Sequence, residues 1–268
     1  MVLLTAIETT HCARPMINRV LQSIDTHIDS ILAGSEVREL EYDIEFQLSK
    51  NAANNAKGFL SGTEWALLYS LAKECNGCGV IVEIGSWKGR STILLAKGSK
   101  AGQRVRIYAI DPHEGSAEDE RLNTFDEFKK NIANAQVEDI VVPIVKTSEE
   151  AANDFLEPCA LIFVDGSHKL SSVKQDFVLW YPKLIEGGVI AFHDTLDMAG
   201  PRTVVKDSLF RSKNFKNVKF ARSITYGTKV VQNTMADRMK NRFFLLLNSI
   251  YNSLQKIGRI MMPDRTEG

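Results

Sequence analysis

The stretch "IVEIGSWKGRST" at residues 81–92 decides the fold of this chain. An apolar run stops at Glu83, glycines follow at Gly85 and Gly89, and Ser91 leads into the apolar segment "ILLAKG". This order predicts a strand, a tight turn and a helix. A corner of this kind can hold a ligand, because the backbone N–H groups at the start of a helix have no partners within the helix.

Short apolar runs alternate with amphipathic stretches from residue 80 onward. Strands are predicted at Val80–Ile84, Arg106–Ile110, Ile140–Val145, Ala160–Val164 and Val189–Phe192. Helices are predicted at Ser91–Lys100, Glu118–Asn134, Ser148–Phe155 and Ser171–Leu184. This alternation is typical of a parallel sheet with helices on both faces.

A later stretch, "VKFARSITYGTKVVQ", predicts a hairpin with its turn at Tyr226-Gly227. The expected fold class is therefore α/β. We predict a Rossmann-like, doubly wound, mostly parallel seven-stranded sheet with a C-terminal antiparallel hairpin and helical extensions at both ends.

The two ends of the chain are expected to be helical. Residues 15–50 read as helix with a break near Gly34-Ser35, and one face carries Ile17, Val20, Leu21, Ile24, Ile28 and Ile31. The tail after Asn233 is a basic amphipathic helix that we expect to pack on its own domain or a sister subunit, or to lie on an anionic membrane. The predicted divisions are residues 1–57, 58–232 and 233–268.

Composition and charge restrict the class of protein. The 268 residues carry 33 basic and 33 acidic side chains, so the formal net charge is zero and a nucleic-acid partner is not expected. No export signal is recognisable at the start, which favours a cytoplasmic location, with contact to the inner membrane face through the tail as an alternative. The single CxxC at Cys75 and Cys78 is interpreted as a turn rather than a zinc or redox site.

Residues able to carry chemistry follow the ends of the five predicted parallel strands. They are Glu83, Gly85, Gly89, Asp111, Ser148, Asp165, His168, His193 and Asp194. Ligands bind open α/β sheets outside these carboxyl ends, at the point where the strand order reverses. The clustering predicts one composite site.

The glycine turn argues against a dinucleotide. Its spacing is E-x-G-x-x-x-G, and Trp87 stands between the glycines where a GxGxxG loop would bring backbone against a pyrophosphate. Glu83 would repel a phosphate, whereas Asp111 ends the second strand, where ribose hydroxyls are bound. A nucleoside with a cationic amino-acid arm, S-adenosylmethionine, satisfies both conditions. An NAD-dependent oxidoreductase remains an alternative.

The segments "VEIGSWKGRST", "YAIDPHEG" and "FVDGSHKLSSVKQDFVLWYPKLIEGGVIAFHDT" resemble class I S-adenosylmethionine-dependent methyltransferases. The similarity covers roughly residues 58–232. Within this class, the segments most resemble the methyltransferase 24 family, which is related to catechol-type and sugar- or antibiotic-modifying O-methyltransferases. The resemblance implies that the methionine arm, the ribose and the adenine contact Glu83, Gly85, Ser86, Gly89, Asp111 and Ser148. We also expect cofactor contacts from Trp87, Ser91, His113 and Asp165.

The resemblance further implies roles at the far strand ends. Asp165, His193 and Asp194 match the positions at which catechol-type relatives bind a divalent metal, here Mg or Mn. The histidine favours manganese, iron or zinc over magnesium, which prefers oxygen ligands. His168 matches the general base, with Asp165 beside it in catalysis.

The expected activity is therefore methyl transfer to a hydroxyl of a sugar or small natural product, in a protein that forms homo-oligomers. A catalytically silent scaffold with the same fold is the second alternative.

Overall fold

The computed structural model describes residues 43–114 and 123–261, with side chains described up to residue 255. In this part of the chain seven strands form one sheet in the order β3-β2-β1-β4-β5-β7-β6. The strands are β1 Val80–Ile84, β2 Ile107–Ile110, β3 Val141–Ile144, β4 Cys159–Val164, β5 Leu184–Phe192, β6 Phe215–Ala221 and β7 Ile224–Lys229. The pairs among β1 to β5 are parallel, and β7 runs antiparallel to β5 and β6. The predicted fold class is confirmed.

Eight described α-helices accompany the sheet. They are α1 Ile44–Asn54, α2 Glu64–Lys73, α3 Arg90–Ala101, α4 Phe125–Asn134, α5 Ser148–Asp154, α6 Leu170–Trp180, α7 Ala199–Val205 and α8 Met235–Met261. A 3₁₀ turn follows α6 at Tyr181–Lys183, and a π-helical turn follows α7 at Lys206–Phe210. The predicted N-terminal helix up to residue 42, the start of the predicted helix at Glu118 and the last residues of the tail lie outside the described parts of the chain.

The sheet separates two apolar cores. On one face α1 to α4 pack around residues such as Tyr69 and Phe128, and on the other face α5 to α7 pack around Trp180 and Phe192. Every residue of β1 is buried, including Glu83. A central parallel strand is covered on both faces, which explains why its sequence is continuously apolar up to that acid.

The strand β5 begins five residues earlier than the sequence pattern suggested. The predicted helix Ser171–Leu184 ends at Trp180, because Pro182 in the following 3₁₀ turn cannot donate a helical hydrogen bond. Leu184 already belongs to β5, so the prediction that placed it in the helix was wrong.

The position of the hairpin turn was also predicted wrongly. The turn lies at Arg222 and Ser223, where Arg222 has φ of 47°, whereas Gly227 lies inside β7 opposite Ile190. A Cβ at Gly227 would lie 3.1 Å from the Val218 side chain. The glycine therefore serves close packing between β6 and β7 rather than a turn.

The strand order fixes where a ligand site can form. The chain proceeds from β1 to β2 and β3 on one side, then crosses to β4 and β5 on the other. The crevice between the loops after β1 and β4 is the topological switch point of the sheet. None of the helices in the described ranges is long and apolar enough to cross a membrane.

Candidate active site

A cavity of about 910 Å³ opens at the carboxyl ends of β1, β2, β4 and β5. Its walls are the glycine turn after β1 and the residues that follow β2, β3, β4 and β5. The acidic side chains lining it are Asp111, Glu114, Glu149, Asp165, Asp176 and Asp194. Among the described residues that line it, Arg90 is the only Lys or Arg, and its guanidinium donates to the carbonyls of Ala56 and Gly58 at 2.7 and 2.6 Å. The cavity therefore favours a cationic ligand.

The glycine turn is held in place by backbone packing. Gly85 has φ of 89°, and a Cβ there would lie 2.3 Å from the carbonyl oxygen of Asp165. Trp87 also adopts a left-handed φ of 41°, and its backbone N–H donates to Asp111 Oδ2 at 2.8 Å. Only glycine permits the loops after β1 and β4 to approach this closely.

Glu83 lies behind this turn and does not line the cavity, contrary to the expected direct contact. The Thr92 hydroxyl donates to Glu83 Oε2, while Oε1 has no partner among the described residues. Burial raises the pKa of Glu83 to about 8, and the carboxylates of Asp165 and Asp111 add to the rise. Glu83 is therefore mostly protonated in the folded protein at neutral pH.

The raised pKa of Glu83 predicts a pH-dependent stability. Between its unfolded pKa of 4.5 and its folded pKa of about 8 the folded chain binds more protons, so the free energy of unfolding falls as pH rises through this window. The slope has an upper limit of about 1.4 kcal/mol per pH unit. We expect Glu83→Gln to remove this component. In urea unfolding, the free energy of unfolding of the variant should therefore increase relative to that of the natural chain from pH 5 to pH 8. The exposed Glu138→Gln is the control, and equal slopes for natural chain and Glu83→Gln would contradict the assignment.

Asp111 is oriented by two backbone groups. Besides the Trp87 N–H on Oδ2, the N–H of His113 donates to Oδ1 at 2.6 Å. Both oxygens retain lone pairs, so the carboxylate can still accept hydroxyl hydrogen bonds from a ligand. The side chain lines the cavity as predicted.

Ser148 begins α5 and also lines the cavity. Its Oγ accepts a hydrogen bond from Trp180 Nε1 at 2.9 Å. Asp176, on α6, contributes a further acid to the wall, and burial raises its pKa although a hydrogen bond from Ser148 opposes the shift. Sequence reasoning missed Asp176, for which a lone acid in "VKQDFVLW" was the available signal.

Two predicted contact residues have other roles. Gly89 has φ of 89° and caps the start of α3, while a Cβ on it would press against Phe128. The buried His113 ring lies between Phe125 and Phe128 with Nδ1 2.9 Å from the Thr124 hydroxyl. Neither residue lines the cavity, so the expectation that they contact the cofactor directly is not supported.

The cavity wall offers polar atoms that the described residues leave unsatisfied. Ser86 Oγ and Trp87 Nε1 are buried, belong to residues that line the cavity, and have no partner in the described structure. Buried polar groups in native proteins are normally hydrogen-bonded, often to a ligand or water. With Ser91 on the same wall, this side of the cavity fits a polar cofactor.

His193 is buried between carboxylates. Its Nδ1 lies 2.9 Å from Asp165 Oδ1 and 3.6 Å from Asp194 Oδ2, and its Nε2 lies 3.7 Å from Glu64 Oε1. Burial alone would lower the pKa of His193, but these acids outweigh it and hold the pKa well above its usual value. Because Asp165 contacts its Nδ1 and Glu64 faces its Nε2, His193 is poorly suited to the predicted ligand role.

Glu64 is a residue that sequence reasoning missed. It is buried at the start of α2, where Oε2 accepts from the N–H of Ser61 and Oε1 accepts from the N–H of Ser223 at 2.8 and 2.9 Å. The spacing S-x-x-E in "SGTE" was the available signal, since it is typical of a helix start at which the glutamate turns back. Glu64 thus ties α2 to the β6–β7 turn and faces His193.

His168 and Asp194 form the reactive end of the cavity. His168 Nε2 lies 2.8 Å from Asp194 Oδ2, and the His168 side chain is 43% exposed, so it can meet a substrate. Together with Asp165 these side chains bring one potential ligand atom each within 4.8 Å of one another. Two carboxylates and this imidazole are the donor set that a divalent metal would use, with His168 in place of the predicted His193.

Comparisons with known proteins agree with this architecture. Residues 82–195 match the family described as a methyltransferase domain. An uncharacterized protein of Sinorhizobium fredii is 33% identical over 120 residues, covering 43% of this chain and 13% of that protein. An uncharacterized protein of Acanthamoeba polyphaga mimivirus is 30% identical over 126 residues, covering 43% of this chain and 51% of that protein. The chain thus spans about half or less of the length of these relatives.

One solved structure shows the same fold. The O-methyltransferase TomG from Streptomyces achromogenes, in complex with S-adenosylmethionine, superimposes with a TM-score of 0.51 at 18% identity. The match covers 78% of this chain and 96% of TomG. Residues 82–195 are therefore similar to a methyltransferase domain, and the chain has the class I methyltransferase fold.

Proposed function

We propose that this chain is an S-adenosylmethionine-dependent O-methyltransferase acting on a hydroxyl group of a sugar or small natural product. One observation carries the proposal: a single acid-lined cavity contains both the glycine turn with Asp111 and the His168–Asp194 pair. The first part suits a nucleoside with a cationic arm, and the second suits removal of a proton from an acceptor.

The cofactor is proposed to bind along the wall formed by the loops after β1, β2 and β3. Asp111 would accept hydrogen bonds from the ribose hydroxyls, and Ser148 would lie near the adenine base. Ser86 Oγ and Trp87 Nε1, which have no partner in the described structure, would form hydrogen bonds with the cofactor. The bound cofactor supplies a methyl group on a sulfonium centre. The acidic residues of the cavity would favour this positive charge over a phosphate-bearing dinucleotide.

His168 is proposed as the general base. Its Nε2 contact with Asp194 orients the imidazole and stabilises the imidazolium that forms when it takes the acceptor proton. His193 lies behind Asp165 and Asp194 and holds both carboxylates in place. The methyl acceptor must then lie between His168 and the cofactor wall.

The rim of the cavity supports a ring-shaped acceptor. Phe59 is 71% exposed and stacks on Trp87 with ring centroids 5.5 Å apart and an interplanar angle of 12°. Such aromatic faces give a mostly apolar entrance beside a polar floor, as is usual for small-molecule sites. TomG takes part in tomaymycin synthesis, and a comparable natural-product acceptor is proposed here.

The proposal is tested by incubating the full chain with radiolabelled S-adenosylmethionine and a panel of sugars, glycosides and phenols. We expect label to appear in one acceptor class and mass spectrometry to place it on oxygen. Lys169→Ala, an exposed neighbour of the base, is the matched control and should keep activity. Cofactor binding without transfer to any acceptor would favour the scaffold alternative, and stabilisation by NAD but not by S-adenosylhomocysteine would favour the oxidoreductase.

Removal of divalent metals is expected to leave methyl transfer within about twofold of its starting rate. The reason is that His168, which Asp194 orients at 2.8 Å, can take the acceptor proton without a metal. The measurement compares initial rates before and after dialysis against EDTA. A loss of more than about tenfold that Mn²⁺ or Mg²⁺ restores would assign Asp165, His168 and Asp194 to a metal that lowers the acceptor pKa.

A further inference from the structure

The long C-terminal helix α8 presents an apolar stripe that the described part of its own domain leaves exposed. The stripe consists of Met235, Met239, Phe243, Leu246, Ile250 and Leu254, which are between 37% and 67% exposed. Successive members are four, four, three, four and four residues apart, so they share one face of the helix. We define these six residues as the α8 stripe.

A different face of α8 attaches the helix to the sheet. Asn241 accepts from the N–H of Val218 and donates to the carbonyl of Phe215, and the Tyr251 ring packs 5.7 Å from Phe220. The helix is therefore already anchored on β6 without the α8 stripe. Side chains of this size gain about 1.5–3 kcal/mol each when fully buried, so a continuous exposed row marks an interaction surface.

The first 42 residues of the chain contain a segment with a matching pattern. Ile17, Leu21, Ile24, Ile28 and Ile31 are spaced by four, three, four and three residues. This average of 3.5 residues is the spacing at which two helices pack side by side along a continuous apolar seam. A helical segment of this length would extend about 21 Å and could cover most of the α8 stripe.

Charge favours the same pairing. Residues 17–31 contain two acidic side chains and one basic side chain, a net charge of −1, whereas residues 235–261 contain one acidic and five basic side chains, a net charge of +4. The two segments attract each other, while two copies of α8 would repel each other.

The residues that connect the segment to α1 allow it to reach away from that helix. The eleven residues 32–42 can span up to about 36 Å before α1 begins.

We propose that residues 17–31 of this chain dock as an amphipathic helix on the α8 stripe. The occupant is a segment of the protein itself rather than a lipid surface or a second α8. This interaction does not depend on the proposed methyl transfer.

Photocrosslinking on the full chain tests the proposal. p-Benzoylphenylalanine replaces Phe243, and the crosslinked peptides are identified by mass spectrometry after illumination. The same probe at Val178, which is 59% exposed on α6, is the positional control. We expect Phe243 to capture peptides from residues 17–31 and Val178 to capture none of them.

A matched pair of variants tests the seam. Ile24→Asp places a charge in it and should reduce the crosslink at least tenfold, whereas Thr26→Asp lies on the opposite side of a helix and should leave the crosslink within about twofold. Circular dichroism confirms that each variant is folded. Capture of α8 from a second copy, capture of lipid when vesicles containing phosphatidylglycerol are added, or no capture at all would overturn the proposal. The Phe243 crosslink map of the natural segment decides the question even if a variant fails to fold.

Discussion

Replacing His168 by alanine should lower kcat by about 10²- to 10⁴-fold once an acceptor is known. The reason is that His168 is the exposed imidazole that Asp194 orients at 2.8 Å, so its removal leaves no base at the acceptor position. The Kd for S-adenosylhomocysteine should stay within about twofold, because the cofactor wall lies at the glycine turn and Asp111. Steady-state rates and calorimetry on the same preparations check both parts.

Controls separate the role of His168 from a general loss of structure. Lys169→Ala removes an exposed neighbour and should leave kcat unchanged, and His168→Gln should be as slow as His168→Ala, because an amide cannot take the proton. If both His168 variants retained kcat with any hydroxyl acceptor, the assignment of the base would be wrong.

Replacing Gly85 by alanine should destabilise the chain by about 3 kcal/mol and abolish cofactor binding. The new Cβ would lie 2.3 Å from the Asp165 carbonyl oxygen and 2.6 Å from its carbon, at a φ of 89° that alanine rarely adopts. Because the contact is with backbone, no side-chain movement relieves it, and the loops after β1 and β4 must separate. Thermal unfolding and calorimetry with S-adenosylhomocysteine measure the two effects.

Gly187→Ala provides a matched control for this prediction. Gly187 has φ of 80°, but nothing lies within 4 Å of the position of its Cβ. This variant should show the backbone strain alone, a loss of about 1 kcal/mol or more, with cofactor binding intact. Equal losses of stability and binding in both variants would contradict the role given to close packing between the loops.

The sheet was predictable because its strands bury both faces. Each of the strands β1 to β4 was located to within a residue at each end, since continuous apolar runs bounded by polar turns leave few alternatives. The start of β5 was not predictable from periodicity. Glu186 and the glycines at 187 and 188 interrupt its apolar pattern, and pairing with β4 and β7 overrides that local signal.

The site was predicted at the level of loops and less well at the level of atoms. The rule that ligands bind at strand ends correctly brought Asp111, Ser148, Asp165 and His168 to one cavity. It could not tell that Glu83 points behind the turn, since that depends on the position of Thr92 in the first turn of α3. It also could not show that Glu64, far away in sequence, would face His193.

The central claim is that the cavity beside Asp111 and the glycine turn binds S-adenosylmethionine. Isothermal titration calorimetry of the full folded chain with S-adenosylmethionine, S-adenosylhomocysteine and NAD tests it most directly. We expect saturable heat with both adenosyl compounds, none with NAD, and loss of that heat in Gly85→Ala. Absence of heat with both adenosyl compounds in protein that circular dichroism shows to be folded, or heat with NAD alone, would contradict it.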